Sequence, residues 1–202
     1  MKYHEAPAQA SVILFIKKEI KMKTLKILFV LLLSTTVANA QFKSGRLQAA
    51  GLTCAMCTKA INEALTQVPF IQDIDVDIKN SEFILAFKPG ANVDPDVLKK
   101  AVEDAGFSVA RLKLTGEFNN VKIEKDTHVS IEGKTFHFLN ANSQTLNGEK
   151  TITVVDKYFV PAKDFKKYAA SSTMSCVQTG KAASCCAKES VAQNTRIYHV
   201  II

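Results

Sequence analysis

No tryptophan occurs in the 202 residues, so the Trp-Cys-Gly-Pro-Cys loop of a thioredoxin-type oxidoreductase is absent. Also missing are G-x-S-x-G, a P-loop, H-E-x-x-H and any pair of carboxylates placed for acid–base work. Those absences remove the common hydrolase centres; no catalytic residue is assigned and the chain is not expected to be an enzyme. Charge of one sign is scarce as well. The formal net charge is +7, but residues 1–40 carry six lysines against two glutamates, and the remainder holds 20 basic and 17 acidic residues, a net of +3. With no RNP-like, zinc-finger or basic-helix pattern beside it, that balance excludes nucleic acid as a partner. Lys99-Lys100 and Lys166-Lys167 read as solvated surface. The Asp73, Asp75, Asp77 series lacks the Gly and terminal Glu of an EF-hand loop, and alternation on a strand turns all three to one wet face.

Long apolar runs are missing too. The uninterrupted stretch at 27–33 is too short to span a bilayer comfortably, and it fits a leader instead. Lys23 and Lys26 precede it, and Ala38-Asn39-Ala40 follows as a small-residue cleavage site before Gln41. The signal peptide is expected to start at Met22, with 1–21 upstream of it, and to be cut after Ala40. No Cys stands at the cut to take a lipid. The mature protein is therefore expected to be periplasmic or secreted, with no stable membrane insertion.

Five cysteines are present, an odd number, in two groups: Cys54 and Cys57, then Cys176, Cys185 and Cys186. At least one thiol cannot close an intramolecular disulfide. The run Gly51-Leu52-Thr53-Cys54-Ala55-Met56-Cys57-Thr58 follows a strand-like stretch and precedes a helical stripe at Ile61, Ala64, Leu65 and Val68. Cys54 is thus expected in the loop and Cys57 in the first helical turn, where N–H groups and the helix dipole favour thiolate. Such a pair suits Cu(I) or Hg(II) and can hold Zn(II). The spacing alone also fits a redox dithiol, half a zinc site or a plain disulfide.

The segment GLTCAMC resembles the GMTCxxC signature of heavy-metal-associated domains, the modules of copper chaperones, copper-pump N-termini and mercury-binding periplasmic proteins. The likeness extends over residues 44–114. Asp104-Ala105-Gly106-Phe107 resembles the family's second-helix ending. Leu52 replaces the usual Met, and Pro69-Phe70 stands where many members have Pro-Gly. The resemblance implies an α+β, ferredoxin-like βαββαβ sandwich with Cys54 and Cys57 as metal ligands. It implies a cargo of Cu(I), with Hg(II), Zn(II) or Cd(II) as alternatives, and an aromatic at Phe107 that shields the metal loop. It also implies metal transfer by thiolate exchange to a metal-transporting membrane protein or another metal carrier.

The residue pattern agrees with that order. Ile74, Val76 and Ile78 alternate with the Asp series, then Phe83, Leu85 and Phe87 alternate after a turn at Lys79-Asn80-Ser81. Asp94 is an N-cap with Pro95 at the first helical position, Val97, Leu98, Ala101, Val102 and Ala105 form the stripe, and Gly106 caps it. Residues 115–170 read as a separate small β-rich module, barrel-like in outline, with strands at 127–131, 134–139 and 151–155. Glu132-Gly133 and Asn147-Gly148 are hairpin signals, and a short helix opens at Pro161. His128 and His137 fall on neighbouring strands and read as packing or surface. Residues 171–202 read as a flexible tail ending in a strand, RIYHVII, which is expected to dock on the β module. Its thiols either close one disulfide, Cys176 with Cys185 or Cys186, or form a second soft-metal site with His199 as a poor fourth ligand. Two other functions fit the same residues: a periplasmic thiol–disulfide redox protein using the CxxC pair, and an assembly module built on the β region with an accessory metal domain.

Overall fold

The computed structural model describes residues 40–52, 54–189 and 191–202, without the side chains of residues 188 and 189. The leader expected over 22–40 lies outside the described residues except for Ala40. Within them the first six elements are β1 (Ala40–Ala50), α1 (Ala55–Thr66), β2 (Ile71–Asp77), β3 (Glu82–Phe87), α2 (Pro95–Asp104) and β4 (Ser108–Ile123). This is the expected α+β order. The apolar alternation of β3 buries Phe83, Leu85 and Phe87, and α1 and α2 place Ile61, Leu65, Leu98 and Val102 against the same sheet face. Asp94 caps α2 by accepting from the Asp96 N–H at 2.9 Å. Gly106, with φ +86°, ends it: its N–H reaches Glu103 O and the Phe107 N–H reaches Val102 O, the paired closure that needs a left-handed residue. Two stripe residues differ from expectation. Val97 is 39% exposed because it lies outside the arc facing the sheet, and Ile78 is 82% exposed because it falls one residue beyond β2, in the turn.

The remainder is β5 (Thr127–Ile131), β6 (Lys134–Phe138), β7 (Gln144–Val154), α3 (Ala162–Ala169), the four-residue α4 (Cys176–Thr179), a 3₁₀ turn (Ser184–Glu189) and β8 (Ile197–Ile201). These strands do not curl into a module of their own. All eight lie in one sheet, in the order β2-β3-β1-β4-β7-β8-β6-β5. The physical reason is β4. Its 16 residues pair with β1 along one edge and with β7 along the other, so the N–H and C=O groups left open by the βαββ part are taken up by the next strand. Where β1 bulges at Phe42, the β4 residue is Gly116; a Cβ there would stand 2.4 Å from Gln41 O.

The Glu132-Gly133 pair makes the β5–β6 turn, with both φ positive. Asn147-Gly148 makes no hairpin. It lies inside β7, where Gly148 (φ +71°) sits at a register shift opposite Phe118–Val121 and Asn147 Oδ1 accepts the Asn120 N–H at 2.8 Å. A left-handed glycine serves a bulge as well as a turn, and here the bulge won.

The tail departs most from its sequence. It is not a loose linker: Cys176, Val177, Ala182 and Cys186 are buried, with Leu139, Val155 and Ile197, in a second core. Period-two alternation in β8 explains the two cores. Tyr198 and Val200 face the helices α1 and α2, whereas Ile197 and Ile201 face the tail. Small residues covering a sheet face leave no helical or strand period to read.

Polar stitches bind the halves together. Arg196 pairs with Asp96 (2.8 Å) and Asp156 (2.9 Å), and the Tyr198 hydroxyl donates to Asp94 at 2.8 Å. The Glu132 carboxylate accepts the N–H groups of Phe42 and Val93, each at 2.7 Å. Glu132→Ala strands both donors at buried residues and is expected to cost about 2–4 kcal/mol, read as a lower melting temperature.

Candidate metal centre

Gly51, at φ +82°, turns the chain out of β1, and Cys54 takes the N-cap position of α1 with extended backbone. Its carbonyl accepts the first helical N–H groups, from Cys57 and Thr58. Cys57 follows in the first turn. The two Sγ atoms stand 2.8 Å apart, and the Cys57 N–H points at Cys54 Sγ at 3.4 Å. The Cys57 thiol, then the N–H groups of Cys57 and Met56, hold the Cys54 thiol below its ordinary range. Cys54 is exposed and Cys57 partly so. Met56 between them is 71% exposed. Leu52, at the position where the resembled family has Met, packs inward against the core, as does the partly buried Phe107.

Beside Cys54 lies an open groove of about 610 Å³ between α1 and the β2–β3 turn, rimmed by Leu52, Lys59, Val76 and Ile78. Thus the CxxC pair is a two-sulfur platform with open space next to it, which is what a low-coordinate soft ion and an incoming ligand require.

The other sequence candidates come together elsewhere. Cys176, Cys185 and Cys186 place their sulfurs within 4.8 Å of one another. Ser175 Oγ lies 3.3 Å from Cys185 Sγ, and its hydroxyl, with nearby N–H groups, pulls the Cys185 thiol down to about 6. Burial pushes the Cys176 and Cys186 thiols up. Cys185 is therefore the most acidic of the three thiols. Iodoacetamide alkylation of the native chain, followed by peptide mapping, is expected to label Cys185 at a rate that is half-maximal near pH 6 and levels off at higher pH, with Cys176 and Cys186 protected by burial.

His137, which the sequence reads as packing or surface, is buried among other donor groups. Its cross-strand partners are His128 on β5 and His199 on β8. The His128 and His137 rings stack at 4.4 Å. His137 Nδ1 stands 3.7 Å from Cys176 Sγ while Nε2 meets Asp126 at 3.1 Å. Burial, then the neighbouring His199 and His128, pushes His137 down to about 4, so the imidazole is neutral at pH 7. His128, His137 and Cys176 form a second group of donors within 4.8 Å of one another. His199, considered as a fourth ligand of the tail thiols, belongs to neither group among the described residues: Asp156 holds its Nδ1.

Residues 46–108 match the family described as heavy-metal-associated domain. Among characterised proteins the chain is similar to Copper-transporting ATPase 1 of Rhizobium meliloti (strain 1021), 28% identical over 111 residues, 55% of this chain and 13% of that protein. It is also similar to Copper-transporting ATPase 1 of Mus musculus, 33% identical over 60 residues, 30% of this chain and 4% of that protein. The chain thus spans only a small part of these relatives. Among solved structures, the N-terminal domain of PacS from Synechocystis PCC6803 is 28% identical, covering 33% of this chain and 92% of that one, with a TM-score of 0.29. The chain therefore carries a heavy-metal-associated domain at residues 46–108.

Proposed function

We propose that this protein is an exported, non-enzymatic carrier of a thiophilic ion. It binds Cu(I) through Cys54 and Cys57 and carries, buffers or scavenges it by ligand exchange in the periplasm or outside the cell. The observation that supports this most is the pair of solvent-facing sulfurs, 2.8 Å apart at the start of α1. Two thiolates satisfy a d10 ion in near-linear geometry, and an approaching thiolate from a partner can add before one of the first two leaves. The ion then passes through a three-coordinate state without being released. Open space beside Cys54 permits that approach. Similarity to proteins named copper-transporting ATPases supports Cu(I) as the cargo, with Hg(II), Zn(II) and Cd(II) as the alternatives, and supports a metal-transporting membrane protein or another metal carrier as the partner.

The test is an anaerobic competition titration of the reduced protein with Cu(I) against a strong chromophoric chelator, together with cell fractionation. One tight equivalent that exchanges within mixing time, in a chain recovered outside the cytoplasm with its N-terminus at Gln41, is the expected result. Absence of competitive binding, with a readily cycled Cys54–Cys57 disulfide, reassigns the pair to thiol redox chemistry. A cytoplasmic chain that keeps residues 1–40 overturns the export.

A further inference from the structure

The tail thiols converge over the sheet face opposite α1 and α2, against Leu139, Val155 and Ile197. We propose that Cys176, Cys185 and Cys186 form a second, interior site that holds one Cu(I) ion through three thiolates, independent of Cys54 and Cys57, with the His137 imidazole beside Cys176 closing the inner side.

Geometry supports the three-sulfur set. Three sulfurs each about 2.3 Å from a central ion stand about 4 Å apart. The sulfurs here lie within 4.8 Å of one another, Cys185 and Cys186 at 3.5 Å, so shifts of a few tenths of an ångström close the set. The backbone holds them from two places: Cys176 at the start of α4, and Cys185 and Cys186 in the 3₁₀ turn. Adjacent residues cannot readily join to each other, but they can both face one ion.

The surroundings are dry. Cys176 and Cys186 are 0% exposed, and only Cys185 reaches solvent in part. Cys185 is thus the point of entry, and the two buried sulfurs retain the ion. Each thiol that is still protonated loses its proton to buffer as its Cu–S bond forms; the ion stays Cu(I) and nothing is oxidised.

His137 is held as metal-site histidines are held. Its Nε2–H donates to Asp126 (3.1 Å), which leaves the Nδ1 lone pair facing Cys176 Sγ at 3.7 Å. His128 lies in the same donor group. The imidazoles gather on Cys176 alone, however, and not on all three sulfurs. Zn(II) asks for four donors in a tetrahedron, whereas a soft monovalent ion is satisfied by three thiolates. That asymmetry is the reason for assigning Cu(I).

A carrier with an exposed two-sulfur site and a buried three-sulfur site separates exchange from retention. The experiment uses the full chain carrying Cys54→Ser and Cys57→Ser, reduced, loaded anaerobically with Cu(I) and desalted. The expected result is one retained equivalent, with three sulfur neighbours by X-ray absorption. Its transfer to excess chelator is expected to be at least tenfold slower than that of the Cys54–Cys57 ion, measured in a Cys185→Ser, Cys186→Ser chain. Adding those two substitutions to the first variant removes the equivalent. The proposal is overturned if the folded Cys54→Ser, Cys57→Ser chain retains no copper, or if the retained ion has two sulfur neighbours. It is equally overturned if Zn(II) occupies the site in preference to Cu(I). X-ray absorption on that variant decides even where the tail substitutions unfold the chain. Loss of the fast-exchanging equivalent from the unsubstituted protein, by contrast, tests only the Cys54–Cys57 reading.

Discussion

Cys54→Ser with Cys57→Ser, made in a chain that already carries Cys185→Ser and Cys186→Ser, lowers Cu(I) stoichiometry from one to zero. Competition against a chromophoric chelator shows more than a 100-fold loss of affinity. That exceeds the 10–100-fold loss seen when only a supporting group around a metal is removed, because here the donors themselves go. A hydroxyl is a hard, neutral ligand and does not replace a thiolate for a soft ion. The same change leaves the apo fold intact. Cys54 is exposed and Cys57 partly so, and neither belongs to a core cluster. Serine is also a preferred N-cap, so its hydroxyl takes over the role Cys54 Sγ plays toward the Cys57 N–H. Surface changes of this kind stay within about 0.5 kcal/mol, or roughly 2 °C in melting temperature for a chain of this size. A variant that binds Cu(I) as tightly as its parent removes Cys54 and Cys57 from the ligand set. One that melts far below it turns the lost binding into a folding effect.

Truncation after Arg196 is expected to unfold the second half of the sheet. β8 is an interior strand, pairing with β7 on one side and running parallel to β6 on the other. Ile197, Tyr198, His199 and Val200 are each at most 2% exposed. Burying an Ile, Val or aromatic side chain contributes about 1.5–3 kcal/mol, so three of them contribute about 5–9 kcal/mol. That is comparable to the whole stability of an ordinary domain, about 5–15 kcal/mol. The truncation also leaves Asp94 without the Tyr198 hydroxyl and opens both cores at once. Calorimetry and limited proteolysis check it: the expected outcome is loss of the cooperative melt, with cleavage in 124–196. A truncated chain that melts like its parent would show that β8 is not an interior strand.

Much of the first half was legible in the sequence because its signals are local. Phe83, Leu85 and Phe87 alternate on one strand, Asp94-Pro95 starts α2, and Gly106 ends it. The position of Cys54 and Cys57 followed from where the strand pattern stops and the helical stripe begins. The second half was less legible because its decisive contacts are not local. Asn147-Gly148 carries a turn signal, yet whether it becomes a hairpin or a bulge depends on β4, some 27 residues upstream at Asn120. The burial of Cys176 and Cys186 depends on which face β8 turns toward the tail. His137 and Cys176 are 39 residues apart and meet only because β8 enters beside β6. No period within either segment encodes that meeting. A histidine on a strand reads as packing until the opposite face of its sheet is known.

The placement of β8 also sets an order of events. Residues 197–201 follow every other strand in the chain, yet they occupy an inner position, so β7 and β6 can be joined only after the strands before them have been made. Long-range pairings of this kind are slow to form. The face that shelters Cys176 and Cys186 is incomplete until that last insertion. A chain moved across a membrane unfolded would therefore assemble the interior thiol cluster after the CxxC loop, whose helix and neighbouring strands are local. The exposed pair would meet metal first, and the enclosed trio would come into being in its presence.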